Sequence, residues 1–196
     1  CDARTLYNLA GDRIEIGIGL HSSALAGWYG IDWAERHAYL LDYMRAMRAC
    51  FDETADKAID YQGPYFSISA KTALFGGKPA PVPLLHLKVM EVEEMGTAGE
   101  TCDAVTLGQM TPYSFYLGRG GERLREGAQV AGRDSQTIKV NKMIVTLVSD
   151  DSESAVQRLK GYIANSIGNK TFNYRRMVEE SGFEKEAGLI SAKLEA

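Results

Sequence analysis

The chain has 196 residues, of which 45% are hydrophobic and 24% charged, a composition typical of one globular domain with a substantial core. Lys and Arg number 22 and Asp and Glu number 26, so the formal net charge is −4. We see no basic stripe typical of a nucleic-acid-binding protein and no apolar run long enough to predict a membrane-spanning helix. The three cysteines form no Cys-x-x-Cys pair, which favours a reducing, cytoplasmic location.

Four short apolar segments predict buried strands, and they lie at residues 14–18, 82–90, 104–107 and 138–148. Between the first two, apolar residues spaced three or four apart predict a helix over 33–51. Two aromatic and β-branched runs around Gln62-Gly63-Pro64 predict a β-hairpin over about 58–68.

The second half of the chain alternates in the same way. A short helix is predicted over 91–100, and a helix interrupted by glycines over 113–132. A capped helix follows Asp150-Asp151-Ser152-Glu153, and residues 172–196 look helical. Because strands alternate with helices, the sequence predicts a single domain of parallel α/β architecture.

The loops that follow the predicted strands carry the candidate site residues. His21 and Ser22 follow the first strand, and Glu91 follows the second. Ligands bind at the carboxyl ends of parallel strands, so His21 and Ser22 either contact a polar cofactor or lie in a solvated loop. Trp28 and Tyr29, beside glycines, either cap a planar ligand or pack against the next helix.

The histidines give weaker signals. His37 lies on the apolar face of the 33–51 helix, where we expect a semi-buried side chain. His86 lies between leucines in the second strand, from where it could point into a barrel lumen. No His, Cys, Asp or Glu grouping has zinc or iron spacing, so we expect no metal.

The number of strands limits the architecture. A (β/α)₈ barrel takes about 250 residues, and we find four strands where a barrel needs eight. The chain is therefore either a small open sheet or half of a barrel. It begins with Cys1 rather than Met, so we expect it to be a piece of a longer protein.

Several motifs resemble, in order, those of the bacterial luciferase-like flavin and deazaflavin oxidoreductases. Arg13-Ile14-Glu15-Ile16-Gly17-Ile18-Gly19 resembles the family's fourth barrel strand, R-x-x-L-G-L-G. Gly27-Trp28-Tyr29-Gly30 is similar to its G-W-H-G segment, and Tyr61-Gln62-Gly63-Pro64-Tyr65-Phe66 to its hairpin pattern. Shorter matches at Thr111-Pro112 and Ala131-Gly132-Arg133-Asp134 extend the resemblance over about residues 4–185.

The resemblance implies an incomplete (β/α)₈ TIM-barrel-type fold, about half a barrel with a hairpin insertion. It implies FMN or the deazaflavin coenzyme (F420 type) as cofactor, and hydride transfer or monooxygenation on a small organic substrate. It also implies a homodimer. No general acid or base is assigned.

The resemblance also implies site residues. Gly19, His21 and Ser22 would lie near the flavin, and the turn Met90-Glu91-Val92 would hold its phosphate. Trp28 and Tyr29 would contact substrate. Three acidic residues, Glu91, Glu93 and Glu94, stand where the family commonly has small residues, and they would repel a phosphate.

Two alternatives remain open at this stage. The acidic turn favours a non-catalytic barrel homologue that has lost the phosphate site and acts as a binding or partner subunit. A small open α/β domain unrelated to flavins would instead be a stable monomer, whereas half a barrel has unpaired strand edges and should associate.

Overall fold

The computed structural model describes residues 2–20, 23–30, 32, 34–52, 59–70, 82–168 and 174–195. The strands are β1 (Glu15–Gly19), β2 (Asp60–Gln62), β3 (Ser67–Ser69), β4 (Leu84–Val89), β5 (Ala104–Leu107) and β6 (Lys139–Lys142). The α-helices are α1 (Asp2–Ala10), α2 (Ser23–Trp28), α3 (Arg36–Phe51), α4 (Val92–Thr101), α5 (Tyr113–Phe115), α6 (Gly121–Val130), α7 (Ser152–Gly168), α8 (Tyr174–Glu179) and α9 (Glu184–Glu195). A π-helical turn, Tyr116–Gly120, joins α5 to α6.

Four strands form one parallel sheet in the order β1-β4-β5-β6. β2 and β3 form a separate antiparallel hairpin, which confirms the predicted insertion. Each of the four predicted strands is present in this sheet, and all run parallel as the sequence predicts. The strands of the described residues form an open sheet and close no barrel.

One side of the sheet packs against α3, α4 and α6. Leu85, Leu87, Val89, Val105 and Leu107 on this side are fully buried. They form the main core with Met44 from α3, Met95 from α4 and Leu124 from α6. Since side chains alternate along a strand, every second residue of β4 and β5 contributes to this core.

Glycines allow α4 and α6 to approach closely. A Cβ on Gly99 would lie 2.1 Å from the carbonyl oxygen of Leu124, and one on Gly127 would lie 2.0 Å from that of Gly96. Arg133, after α6, donates hydrogen bonds to the carbonyls of Gly99 and Cys102 at the end of α4. Arg133 therefore ties the end of α6 to the end of α4.

The hairpin is held to α3 by one buried carboxylate. Asp42 accepts hydrogen bonds from the backbone N–H groups of Tyr65 (2.8 Å) and Phe66 (2.9 Å) and from the hydroxyl of Tyr61. Gly63 is required at the turn, because a Cβ there would lie 1.9 Å from Asp42 Oδ1.

One sequence prediction needs correction. The predicted strand over 138–148 ends at Lys142, because Met143 is the last residue that donates to β5, through Leu107 O, and no further strand is paired beyond β6 in the described sheet. In the tail that the sequence predicts to be helical, the described residues 174–195 form two helices, α8 and α9, with Gly182 between them at a φ of +89°. Helix α1 was not predicted at all. Among the described residues no helix has the length and apolar character needed to cross a membrane.

Candidate functional site

The side of the sheet opposite the core carries polar and very small residues. Because register partners in a parallel sheet share a face, two rows can be read across it. The first row is Gly17, His86, Ala104 and Lys139, and the second row is Gly19, Lys88, Thr106 and Asn141. Along β4, therefore, His86 and Lys88 lie on the opposite face from Leu85, Leu87 and Val89.

A cavity of about 550 Å³ lies on this side, within the size range of small-molecule sites. Its lining includes Gly17, Gly19, Lys88 and Met90, the last at the carboxyl end of β4, with Tyr174 from α8. The cavity thus extends to the sheet edge where ligands bind in parallel α/β proteins.

Gly17 and Gly19 leave bare backbone facing the cavity, and we call these two residues the glycine surface. A Cβ on Gly17 would meet no atom within 4 Å, and one on Gly19 would lie 3.2 Å from the Cβ of Lys88. Neither glycine has a positive φ, so the backbone does not require glycine here. At Gly17 the missing side chain leaves room for a ligand close to the backbone, and at Gly19 it also accommodates the stem of Lys88.

The charged groups on this side are unequally compensated. His86 Nε2 lies 3.0 Å from Glu15 Oε2, and His86 Nδ1 lies 3.5 Å from the Asn141 amide nitrogen. Lys88 is half-buried at the cavity, and within the described residues its ammonium group makes no hydrogen bond or ion pair. The cavity therefore contains an imidazole–carboxylate pair and one separate cation.

The turn between β4 and α4 neutralises the first of its acidic residues. The Glu91 side chain is 2% exposed and accepts from Arg36 Nη2 at 2.9 Å and His37 Nε2 at 2.7 Å. Burial opposes ionisation, but the hydrogen bonds from His37 and Arg36 outweigh it and hold the pKa of Glu91 below its usual value. The repulsion expected from the sequence is therefore smaller at Glu91 than an isolated carboxylate would produce.

Glu94 turns back to cap its own helix. Its Oε2 accepts from the backbone N–H groups of Met90 (2.5 Å) and Glu91 (3.2 Å) at the start of α4. Burial raises the pKa of Glu94 to about 7, although the hydrogen bond from Met90 acts in the opposite direction. A protein carboxylate thus occupies two of the N–H donors that an anionic ligand at this turn would use.

His37, Glu91 and Glu93 place potential metal-ligand atoms within 4.8 Å of one another. Guanidinium groups already surround these carboxylates. Besides Arg36, Arg176 from α8 lies 3.8 Å from Glu91 Oε2 and 3.1 Å from Glu93 Oε1. The group is best described as an ion cluster that ties α3, α4 and α8 together.

The remaining predicted residues lie away from the cavity or outside the described residues. Trp28 and Tyr29, at the end of α2, are 79% and 77% exposed and do not line the cavity. His21 and Ser22 lie outside the described residues. Sequence reasoning missed Lys88, Thr106 and Tyr174 as cavity residues. The alternation of polar and apolar residues over 84–89 was the signal for Lys88, while nothing local marks Tyr174.

A family model described as luciferase-like monooxygenase matches residues 2–195. The chain belongs to this family. Motifs that resemble those of this family follow one another in order along the sequence, and the fold class that they imply is confirmed.

Solved structures share the fold at low sequence identity. An F420-dependent secondary alcohol dehydrogenase, in complex with an F420–acetone adduct, is 19% identical with a TM-score of 0.68, over 91% of this chain and 55% of its own. A coenzyme F420-dependent tetrahydromethanopterin reductase from Methanopyrus kandleri is 19% identical with a TM-score of 0.64, over 94% of this chain and 55% of its own. The monooxygenase RslO1 from Streptomyces bottropensis is 17% identical with a TM-score of 0.59, over 95% and 55%. This chain thus spans about half the length of these proteins.

Proposed function

We propose that this chain binds a flavin or deazaflavin cofactor on the glycine surface of β1 and belongs to an oxidoreductase acting on a small organic substrate. The observation that carries the proposal is the cavity itself. Bare backbone at Gly17 and Gly19 faces a space of about 550 Å³ at the ligand end of a parallel sheet. A flat ring can lie against such backbone, where any larger side chain would keep it away.

The polar groups around the glycine surface suit a ring with hydrogen-bonding edges. Lys88 and Thr106 lie in the row of Gly19, and both line the cavity. A few convergent polar groups in a largely apolar cavity are what orients a small ligand. When bound, a flavin or deazaflavin would supply the two-electron chemistry, and these residues would bind, orient and shield it from water.

The other predicted site residues enter as parts of this proposal. Gly19, His21 and Ser22 would lie beside the ring, and Met90, Glu91 and Val92 beside the cofactor's phosphate. Trp28 and Tyr29, exposed at the end of α2, would contact substrate. The ion pair between Glu91 and Arg36 supports the placement of the phosphate at this turn, because the positive charge of Arg36 offsets the negative charge of Glu91.

One observation favours a second candidate, a non-catalytic homologue that binds no phosphate-bearing cofactor. Glu94 holds the N–H groups of Met90 and Glu91, which a phosphate at the start of α4 would need. Under this alternative the cavity would bind a flavin ring with or without a phosphate equally tightly, or it would bind no flavin ring.

Fluorescence titration of the chain with FMN, riboflavin and the deazaflavin coenzyme tests both candidates, with circular dichroism on the same samples to confirm folding. The proposal predicts micromolar binding of FMN or the deazaflavin coenzyme, tighter than that of riboflavin. Equal binding of FMN and riboflavin would favour the homologue without a phosphate site. A folded chain that binds none of the three would contradict the proposed function.

A further inference from the structure

Lys88 is a cation at the cavity for which the described residues supply no charge partner. It lies on the cavity-facing side of β4, between Gly19 on β1 and Thr106 on β5. The side chain is half-buried and lines the cavity, yet it makes no ion pair or hydrogen bond within the described residues. Charged groups withdrawn from water are normally paired, so the surroundings of Lys88 favour a negatively charged or strongly accepting partner in the cavity.

The other charged groups on this side of the sheet lie farther from the glycine surface than Lys88. Glu15 lies beside His86, at 3.0 Å, and four residues before Gly19 along β1, which is about 13 Å at the rise of a strand. Lys139 is on the same face but is exposed on the outer strand β6. Lys88 is thus the ammonium group nearest to the glycine surface among the described residues.

The position of Lys88 also limits which part of a ligand it meets. Its Cβ lies 3.2 Å from the point where a Cβ on Gly19 would stand, so its aliphatic stem follows the border of the glycine surface. A flat ring on that surface would have the ammonium group against its rim. The partner is therefore expected to be an acceptor on the ring rather than a group on a flexible tail.

We propose that Lys88 contacts the ring of a flavin bound on the glycine surface and stabilises the ring's reduced, anionic form relative to its oxidised form. This inference rests on the proposed function. Reduction adds two electrons and one proton to the neutral oxidised ring, which leaves one negative charge on it, while Lys88 keeps its own proton. A positive charge at the rim binds the reduced ring more tightly, because the attraction is absent for the neutral ring.

Lys88→Met tests the inference, since it removes the charge and keeps most of the aliphatic stem. FMN is titrated in its oxidised form and, with dithionite under anaerobic conditions, in its reduced form. We expect about tenfold weaker binding of reduced FMN and little change for oxidised FMN, which for a two-electron couple lowers the midpoint potential of the bound flavin by about 30 mV. Riboflavin should show the same difference.

Three further variants serve as controls. Lys88→Arg keeps the charge and should retain the wild-type potential, and Lys88→Gln should repeat the effect of Lys88→Met if the latter folds poorly. Lys139→Met removes a charge from the same side of the sheet, away from the glycine surface, and should leave the potential unchanged.

Other outcomes would overturn the inference in distinguishable ways. Equal loss of oxidised and reduced FMN binding, with riboflavin unaffected, would show that Lys88 holds the phosphate. Unchanged binding of both forms in Lys88→Met would show that it contacts no part of the ligand. If the wild-type chain binds neither form, the proposed function fails and this inference fails with it.

Discussion

The two sides of the parallel sheet are made by alternate residues of the same strands, yet they differ in almost every physical property. The side facing α3, α4 and α6 is apolar and closed, with Leu85, Leu87 and Val89 of β4 fully buried. The opposite side carries His86 and Lys88 and opens into the cavity. Core packing is concentrated on the first side, and the proposed ligand site lies on the second, so substitutions one position apart should separate stability from binding.

Leu87→Ala should produce the largest effect. Leu87 is fully buried in the main core, and removing such a side chain costs about 2–5 kcal/mol in the free energy of unfolding. Its neighbour Lys88→Met should cost less than about 1 kcal/mol, because it faces the cavity. Urea denaturation followed by circular dichroism measures both. Similar losses for the two variants would contradict the assignment of opposite roles to the two sides.

Glu94→Gln should remove a pH dependence of stability. Glu94 has a pKa of about 7 in the folded protein, against an ordinary value of 4.5, so the folded state holds a proton that the unfolded state releases between these values. The free energy of unfolding should therefore fall as the pH rises from about 4.5 to 7, by about 3 kcal/mol. In Glu94→Gln this fall should disappear.

Glu93→Gln is the matched control for that experiment. Although burial opposes it, hydrogen bonding at its own backbone and from Arg176 lowers the pKa of Glu93, so its stabilisation is lost only as the pH falls below about 4.5. Stability profiles from pH 4.5 to 7 should thus be unchanged in Glu93→Gln. A loss of the slope in this variant, rather than in Glu94→Gln, would contradict the burial of Glu94 as its cause.

Glu91→Gln should weaken the ion cluster at the end of β4. It leaves Arg36 and His37 without their carboxylate, which should cost about 1–3 kcal/mol. Glu126→Gln removes a carboxylate from the exposed Arg123–Glu126 pair and should cost less than about 1 kcal/mol. Thermal unfolding compares the two, and equal shifts would show that burial of Glu91 adds nothing.

Trp28→Ala should have the smallest effect on stability, within about 0.5 kcal/mol, because Trp28 is 79% exposed. The affinity of the Trp28→Ala variant for FMN should also match that of the wild type, since Trp28 is proposed to contact the substrate. A loss of FMN affinity in this variant would show that Trp28 contacts the cofactor rather than the substrate.

Local patterns were sufficient to predict most of the fold. The apolar runs predicted β1, β4 and β5, and the three-four spacing predicted α3, because both patterns report which side of an element is buried. The predicted end of β6, at residue 148, was wrong because it too was judged from apolar character alone. Apolar character over 143–148 predicts burial, but a strand also needs a neighbour to pair with, and only tertiary structure supplies one.

The candidate site depended on information the local pattern does not contain. The acidic turn after β4 looked repulsive because its neighbours in space, Arg36 from α3 and Arg176 from α8, are 55 and 83 residues away from their partners Glu91 and Glu93. The alternation over 84–89 places Lys88 on the face opposite Leu87, but only the strand register shows that this face lies beside Gly19.

The most direct test of the account is the affinity of the chain for FMN with the glycine surface filled. Gly17→Val should fold, since a Cβ at Gly17 meets no atom within 4 Å and valine favours strands, yet its side chain would occupy the space assigned to the ring. Ile16→Val, on the opposite side of β1, is the control. We expect a loss of FMN affinity of at least about tenfold in Gly17→Val alone, or about 1.4 kcal/mol. Equal affinities in the wild type and both variants would contradict binding on the glycine surface.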